Sequence, residues 1–208
     1  MEEVLDVYAA AYDDAHPLIC MDEAAEEIRA DVEPALPLAP GRPRREDHHY
    51  ERKGVRAIFC FLDPLAGWRR VSVRESRTRL DWADEVRRLP EVDYPKAELV
   101  TPVCDNLNTH SIASLDAAFD AATAHRLARR LRLVHTPRNG SWLNVTEMEL
   151  SVLTRQCIGR RFASAGEMAD AIAAWEKKRN AAKAGAAWRF TTADARIVLR
   201  GLYPHPAV

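Results

Sequence analysis

Two β-favouring apolar runs in this chain end directly on a carboxylate, and no other feature constrains its fold as tightly. Residues 17–21, Pro-Leu-Ile-Cys-Met, lead into Asp22-Glu23, and residues 98–104 lead into Asp105-Asn106. A short apolar run bounded by polar residues reads as a buried strand. If these two strands are neighbours in one sheet, both Asp side chains emerge at the same edge. Between them, residues 55–62 and 68–74 are β-favouring runs joined by Asp63-Pro64-Leu65-Ala66-Gly67, whose Asp, Pro and Gly suit a turn, so they predict an antiparallel hairpin.

The remaining elements follow from caps and breakers. Thr78 is placed to cap a helix over residues 79–89 that Pro90 would stop. Residues 111–130 are Ala-rich and helix-favouring, with a break near Asp120, and residues 131–135 read as a fifth strand. After a turn at residues 136–140, Ser141 or Asn144 can cap a helix reaching about Arg161. Residues 164–183 and 191–199 form appended C-terminal helices, the second capped by Thr191 or Thr192. Residues 34–54 begin with a Pro-rich passage that suits neither a helix nor a central strand, and the segment is expected to be a basic insertion loop. The expectation is therefore an α/β fold, a mixed five-stranded sheet flanked by helices, in one domain over residues 1–208.

Composition narrows the function classes. With 47% hydrophobic and 29% charged residues the chain is an ordinary globular one. Its longest apolar stretch, residues 57–62, is six residues, whereas a bilayer-spanning helix needs about 20. The acidic first sixteen residues are unlike a secretory leader, so a cytoplasmic location is expected. Cys20, Cys60, Cys104 and Cys157 form no C-x-x-C pair and read as buried reduced thiols. Residues 1–33 carry eleven acids against Arg29 alone, leaving 29 bases and 20 acids for the rest. The bases concentrate in residues 69–79 and 126–138, blocks that either face phosphates or form a solvated Arg-rich face. There is no H-E-x-x-H, Gly-rich phosphate loop or G-x-S-x-G elbow.

Asp22, Asp105 and Glu147, the last near the start of the helix after the fifth strand, stand at corresponding ends of elements. Clustered carboxylates repel one another unless a cation neutralises them, and Mg²⁺ or Mn²⁺ takes oxygen ligands. Two such ions about 3.5–4 Å apart activate a water or 3′-hydroxyl and stabilise the leaving oxygen of a phosphodiester. Taken singly, a strand-end Asp is an ordinary turn former, and Glu147 an ordinary helix residue or a partner for the helix dipole.

The chain also resembles a known family. Cys20-Met21-Asp22-Glu23, the stretch Cys104-Asp105-Asn106-Leu107-Asn108-Thr109-His110, and residues 135–147 with Ser141-Trp142-Leu143-Asn144 and Glu147 are similar to the three signature blocks of bacterial insertion-sequence transposases of the mariner-like DDE superfamily. Residues 188–196 are similar to the family's C-terminal end. The resemblance implies a ribonuclease-H-like fold, with two-metal DNA cleavage and strand transfer at transposon ends. It implies Asp22, Asp105 and Glu147 as catalytic metal ligands for two Mg²⁺ or Mn²⁺, DNA ends and target DNA as partners, and a homodimer. Glu149 competes with Glu147. The two point about 200° apart on a helix, so only one can face the ions, and Glu147 holds the S-W-L-N-x-x-E position.

Neighbours of the acids carry two readings each. Asn106 and Asn108 orient a phosphate or metal-bound water, or are plain turn amides. His110 hydrogen-bonds the acid or a phosphate, or simply sits near a helix start. Trp142 stacks on a base or plugs the core, Asn144 contacts DNA or caps the helix, and Arg138 closes the second basic block. Family members usually carry N-terminal helix-turn-helix segments; with the first acid at residue 22 none is expected here, so either end recognition falls to a separate DNA-binding chain or this chain is a separated or truncated catalytic half. Ala24-Ala25 also stands where the family pattern leads one to expect a Lys-Pro-like pair. The alternatives to a transposase are an inactive or domesticated DNA-binding remnant and a structure-selective nuclease of the same fold.

Overall fold

The computed structural model describes residues 1–34, 36–43, 45 and 47–203. Residues 35, 44 and 46 of the Pro-rich segment and residues 204–208 of the C-terminal stretch lie outside the described residues. Five strands form one sheet in the order β3-β2-β1-β4-β5. They are β1 (Leu18–Asp31), β2 (Tyr50–Asp63), β3 (Trp68–Arg74), β4 (Thr101–Cys104) and β5 (Val134–His135). The first three pair antiparallel, and β4 and β5 add in parallel beside β1. The sheet is thus mixed, as expected.

Strand alternation sorts the chain onto two faces. On one face Leu18, Cys20, Leu62, Val103 and Val134 pack under helix α1 (Glu2–Ala9), α5 (Val145–Leu153) and α7 (Thr192–Val198), while Ile58 and Ile28 pack with α5 and α6 (Ala165–Ala181). On the other, Ile19, Met21, Phe59, Phe61 and Cys104 pack against α2 (Arg79–Arg88), α3 (Ile112–Ala118) and α4 (Ala121–Ala128). Fully burying one such aromatic or aliphatic side chain contributes roughly 1.5–3 kcal/mol. Among the described residues no helix is long and apolar enough to cross a membrane.

Local chemistry explains most element ends. Thr78 and Asp81 form a capping box at α2, Asp120 accepts from the Thr123 amide at α4, and Thr191 and Asp194 form a second box at α7. The turn before β3 is held by Asp63 Oδ1, which accepts from the amides of Leu65 and Ala66 at 3.0 and 2.8 Å. Gly67 there has φ +67°, and a side chain would strike the Lys183 carbonyl.

Four expectations are corrected. The first strand extends past Asp22 to Asp31, because β2 supplies backbone partners down to Tyr50. The segment 34–54 is accordingly not all loop: residues 50–54 belong to β2, and the passage between the strands carries bridges of Leu36 with Arg45 and Ala39 with Arg42. Pro90 does not stop the chain's turning but enters a π-helical turn over Leu89–Asp93, at a position whose amide is not needed. The helix expected to reach Arg161 consists of a 3₁₀ turn, Ser141–Leu143, then α5, then a π-helical turn, Thr154–Ile158.

Candidate active site

The parallel register of β1 and β4 pairs Leu18 with Thr101 and Cys20 with Val103. Carried two residues further, it brings Asp22, on the face that α5 covers, alongside Asp105, the first residue beyond β4. Asp22 is therefore not at a strand end, but it stands where parallel pairing stops and β4 gives way to a loop. Asn144 brings in the third acid. Its side chain is buried, donating to the Met21 carbonyl at 2.8 Å and accepting from the Thr146 amide at 3.2 Å. That double use pins the start of α5 to β1 next to Asp22 and leaves exposed Glu147 in the first turn.

The acids feel one another. Burial is the main cause that pushes the Asp22 carboxyl up to about 6, and the charges of Asp105, Glu147 and Glu23 push the same way. The Glu23 amide, donating to Asp22 Oδ1 at 2.8 Å, pulls against them. Asp105 Oδ1 is buried with no well-aligned hydrogen bond among the described residues. A hard divalent cation suits this set of carboxylate donors and would ease the repulsion at Asp22. The cluster is nevertheless loose: among the described residues no three His, Cys, Asp or Glu side chains stand close enough to share an ion.

On the opposite face of β1, Glu23 meets His110. The His110 ring is 1% exposed, stacks on Trp82 at 5.4 Å, and places Nε2 3.0 Å from Glu23 Oε1 and Nδ1 2.5 Å from Asp105 Oδ1. Burial works against its charge, but Asp105, Cys104 and Glu23 prevail and push its pKa up to about 11. Cys104 and His135 complete the cluster, and His135 Nε2 lies 2.7 Å from the His110 carbonyl oxygen. His110 thus has no surface to offer a phosphate, and neither has Asn144, so the DNA-contact readings of these two residues do not hold in this structure. Glu23 and Trp82 were not singled out from sequence; their roles depend on strand pairing and on which face α2 covers.

Glu149 is settled as a different kind of residue. Its carboxylate is buried and receives Arg179 Nε and Nη2 at 2.7 and 2.8 Å, with Arg69 Nε 2.8 Å away. Three of the five arginines of the first basic block are likewise consumed internally: Arg69 turns to Glu149, Arg70 to Glu85 and Asp93, and Arg74 to Asp84 and Glu85, while Arg77 and Arg79 are exposed. Most of the second block is also engaged, Arg126 by Glu91 and Arg132 by Glu3.

An open cleft of about 480 Å³ runs out from Asp105, lined by Asn106, Leu107, Arg138 and Ser141 among others. Asn106, Asn108 and Arg138 are exposed, and Arg138 has no ion pair among the described residues. Trp142, 48% exposed, is backed by Phe190 at 6.0 Å and Trp188 at 6.5 Å, so its ring is neither a core plug nor free to swing.

Comparisons with known proteins bear on this arrangement. A family model described as DDE superfamily endonuclease matches residues 17–169. No curated protein matches the sequence. Among solved structures the chain is similar to the Mos1 mariner paired-end complex with Mn, with TM-score 0.54 and 13% identity over 98% of this chain and 61% of that one. It is similar also to the Mos1 transposase paired-end complex with left transposon end, with TM-score 0.54 and 13% identity over 90% and 62%. The Mos1 strand transfer complex gives 0.52 and 14% over 87% and 51%. The likeness is one of fold, a ribonuclease-H-like sheet flanked by helices. The chain spans about half to three fifths of the length of these neighbours.

Proposed function

Because the chain belongs to the DDE superfamily of endonucleases, we propose that it is a transposase catalytic domain that cleaves DNA strands at transposon ends and joins the freed 3′ ends to target DNA. Asp22, Asp105 and Glu147 would hold two Mg²⁺ or Mn²⁺. Ions so held supply activation of the attacking water or 3′-hydroxyl and stabilisation of the leaving oxygen. The chain's own side chains do the rest. Asn144 fixes the start of α5 against β1, and with it the position of Glu147. Arg138 and Asn106 lie along the cleft where a strand's phosphates would pass, with Asn108 close by, and Trp142 offers a braced aromatic face on which a base can stack. Self-association and a separate end-recognising chain belong to the same reading, as does a single catalytic domain over residues 1–208.

The observation that carries this reading is a trio of acids in which burial and the charges of Asp105 and Glu147 raise the Asp22 carboxyl, in a member of an endonuclease family. The loose spacing of that trio favours a second reading, a remnant that binds DNA without turnover. One assay separates them: nicking of labelled DNA by the chain and by Asp105→Ala, with Mg²⁺, Mn²⁺ or chelator, alone and with a DNA-binding partner chain. Metal-dependent nicking that Asp105→Ala abolishes is expected. Nicking that survives the substitution removes the assigned site, and no metal-dependent nicking under any of these conditions leaves the inert module.

A further inference from the structure

We propose that the buried pair Glu23 and His110 is a positioning device for the second acid, gripping one carboxylate oxygen of Asp105 from behind the sheet so that the other is presented to the cleft. The proposal rests on the metal-binding reading of Asp105 given above. Successive residues of a strand point to opposite faces, so Asp22 and Glu23 divide the work of one dipeptide. Asp22 faces the other acids, and Glu23, its side chain 4% exposed, reaches the imidazole on the far face. From there Nδ1 approaches both the Asp105 side chain and, at 3.3 Å, the Asp105 carbonyl oxygen.

The ring cannot turn away. It is stacked on Trp82, held at Nε2 by Glu23, and its own backbone carbonyl lies at hydrogen-bonding distance from His135 Nε2. The consequence for Asp105 is an asymmetric carboxylate. Oδ1 is buried against His110, while the side chain as a whole stays 37% exposed and lines the cleft. Outer partners of this kind, which orient a ligating carboxylate, typically set metal affinity or activity by 10- to 100-fold. Neither Glu23 nor His110 would touch the ion or the DNA; both would act through Asp105.

The test uses the full chain with Glu23→Gln, His110→Gln and the double variant, read by Mn²⁺ affinity from the paramagnetic resonance of free Mn²⁺ and by DNA affinity in chelator. The expected result is Mn²⁺ binding weakened about tenfold or more in each single variant, no further loss in the double variant, and DNA affinity in chelator unchanged within about twofold. A pair that merely anchors the loop after β4 would lower the melting temperature yet leave Mn²⁺ affinity within about twofold, and that outcome overturns the proposal. If the variants do not fold, the unmodified chain carries the test: the His110 ring nitrogens should shift in ¹⁵N NMR as Mg²⁺ is added, and unmoved resonances overturn it. A parent chain that binds no Mn²⁺ at all removes the metal reading itself, which is a different failure from intact binding that ignores both substitutions.

Discussion

Carboxylates gather in two regions of this molecule, and the protein treats them in opposite ways. Around β3, Glu149 lies between Arg69 and Arg179, and Glu85 lies between Arg70 and Arg74. Arg69 and Arg70 are adjacent, so alternation sends them to opposite faces, and each finds a buried glutamate on the helix that covers that face. At the end of β4, Asp22 and Glu147 have no ion pair among the described residues, and Asp105 meets only His110. The difference teaches how to separate structural from functional acids. Charge that the chain neutralises with its own cations fixes elements in place, while charge left facing its own kind calls for a cation from outside.

Glu147 and Glu149, two residues apart on α5, put that distinction to its severest trial. Glu147→Gln should lower metal-dependent nicking by at least about 10³-fold, on the order of 4 kcal/mol of barrier. Its unfolding free energy should stay within about 0.5 kcal/mol, since the side chain is exposed. Glu149→Ala should do the reverse, costing about 3–5 kcal/mol of stability by stranding the buried Arg69 guanidinium, roughly a 10 °C fall in melting temperature. Nicking by the folded fraction of Glu149→Ala should persist. The comparison breaks if Glu149→Ala abolishes nicking without destabilising the fold.

A smaller effect comes from Asp22 in metal-free protein. Its carboxyl titrates near 6 when folded, above the ordinary value near 4, so its stabilising contribution is complete below pH 4 and is lost as pH rises through 6. Asp22→Asn should remove that loss and stabilise the chelated protein at pH 7 by on the order of 2 kcal/mol, while abolishing nicking. Thermal melts in chelator at pH 4.5 and pH 7 check this. Parallel pH profiles for parent and variant would mean that Asp22 carries no electrostatic strain.

Much of the fold was legible because it is written in local chemistry. The two runs ending at Asp22 and Asp105, the turn at Asp63 to Gly67 and the caps at Thr78, Asp120 and Thr191 each depend on residues close in sequence. What stayed hidden depends on distant partners. Residues 22–31 are rich in Asp, Glu and Ala, which favour other structures, and only pairing with β2 makes them strand. Helix α1 gave little periodic signal in eight residues, yet Val4, Leu5 and Tyr8 are buried, with Tyr8 donating to the Leu143 carbonyl beside the site. The Arg-rich run 69–79 reads from sequence as either a phosphate-facing or a solvated face, because sequence does not reveal that α2 and α5 bring glutamates to Arg69, Arg70 and Arg74. The same holds within the candidate site. Asp22 and Asp105 stand out because each follows an apolar run, and Glu147 because it follows a helix cap, whereas Glu23 and Trp82 acquire meaning only when the far face of the sheet is assembled.

The contrast extends from acids to bases, where the smallest effect is expected. Of the second basic block, Arg126 is paired with Glu91, and Arg130 spends its guanidinium on the carbonyls of Pro90, Tyr94, Pro95 and Ala97. Arg138 is exposed at the cleft beside Asp105 with no such partner among the described residues. Each phosphate a protein neutralises steepens the fall of affinity with salt by about one unit of logarithmic slope. Arg138→Ala should therefore weaken DNA binding in chelator a few-fold, about 1 kcal/mol, and reduce that slope by about 1. Arg126→Ala, whose cation is already answered by Glu91, should leave the slope unchanged. Equal losses for both would mean that DNA reads the block as a whole, and that an internal ion pair does not withdraw an arginine from service.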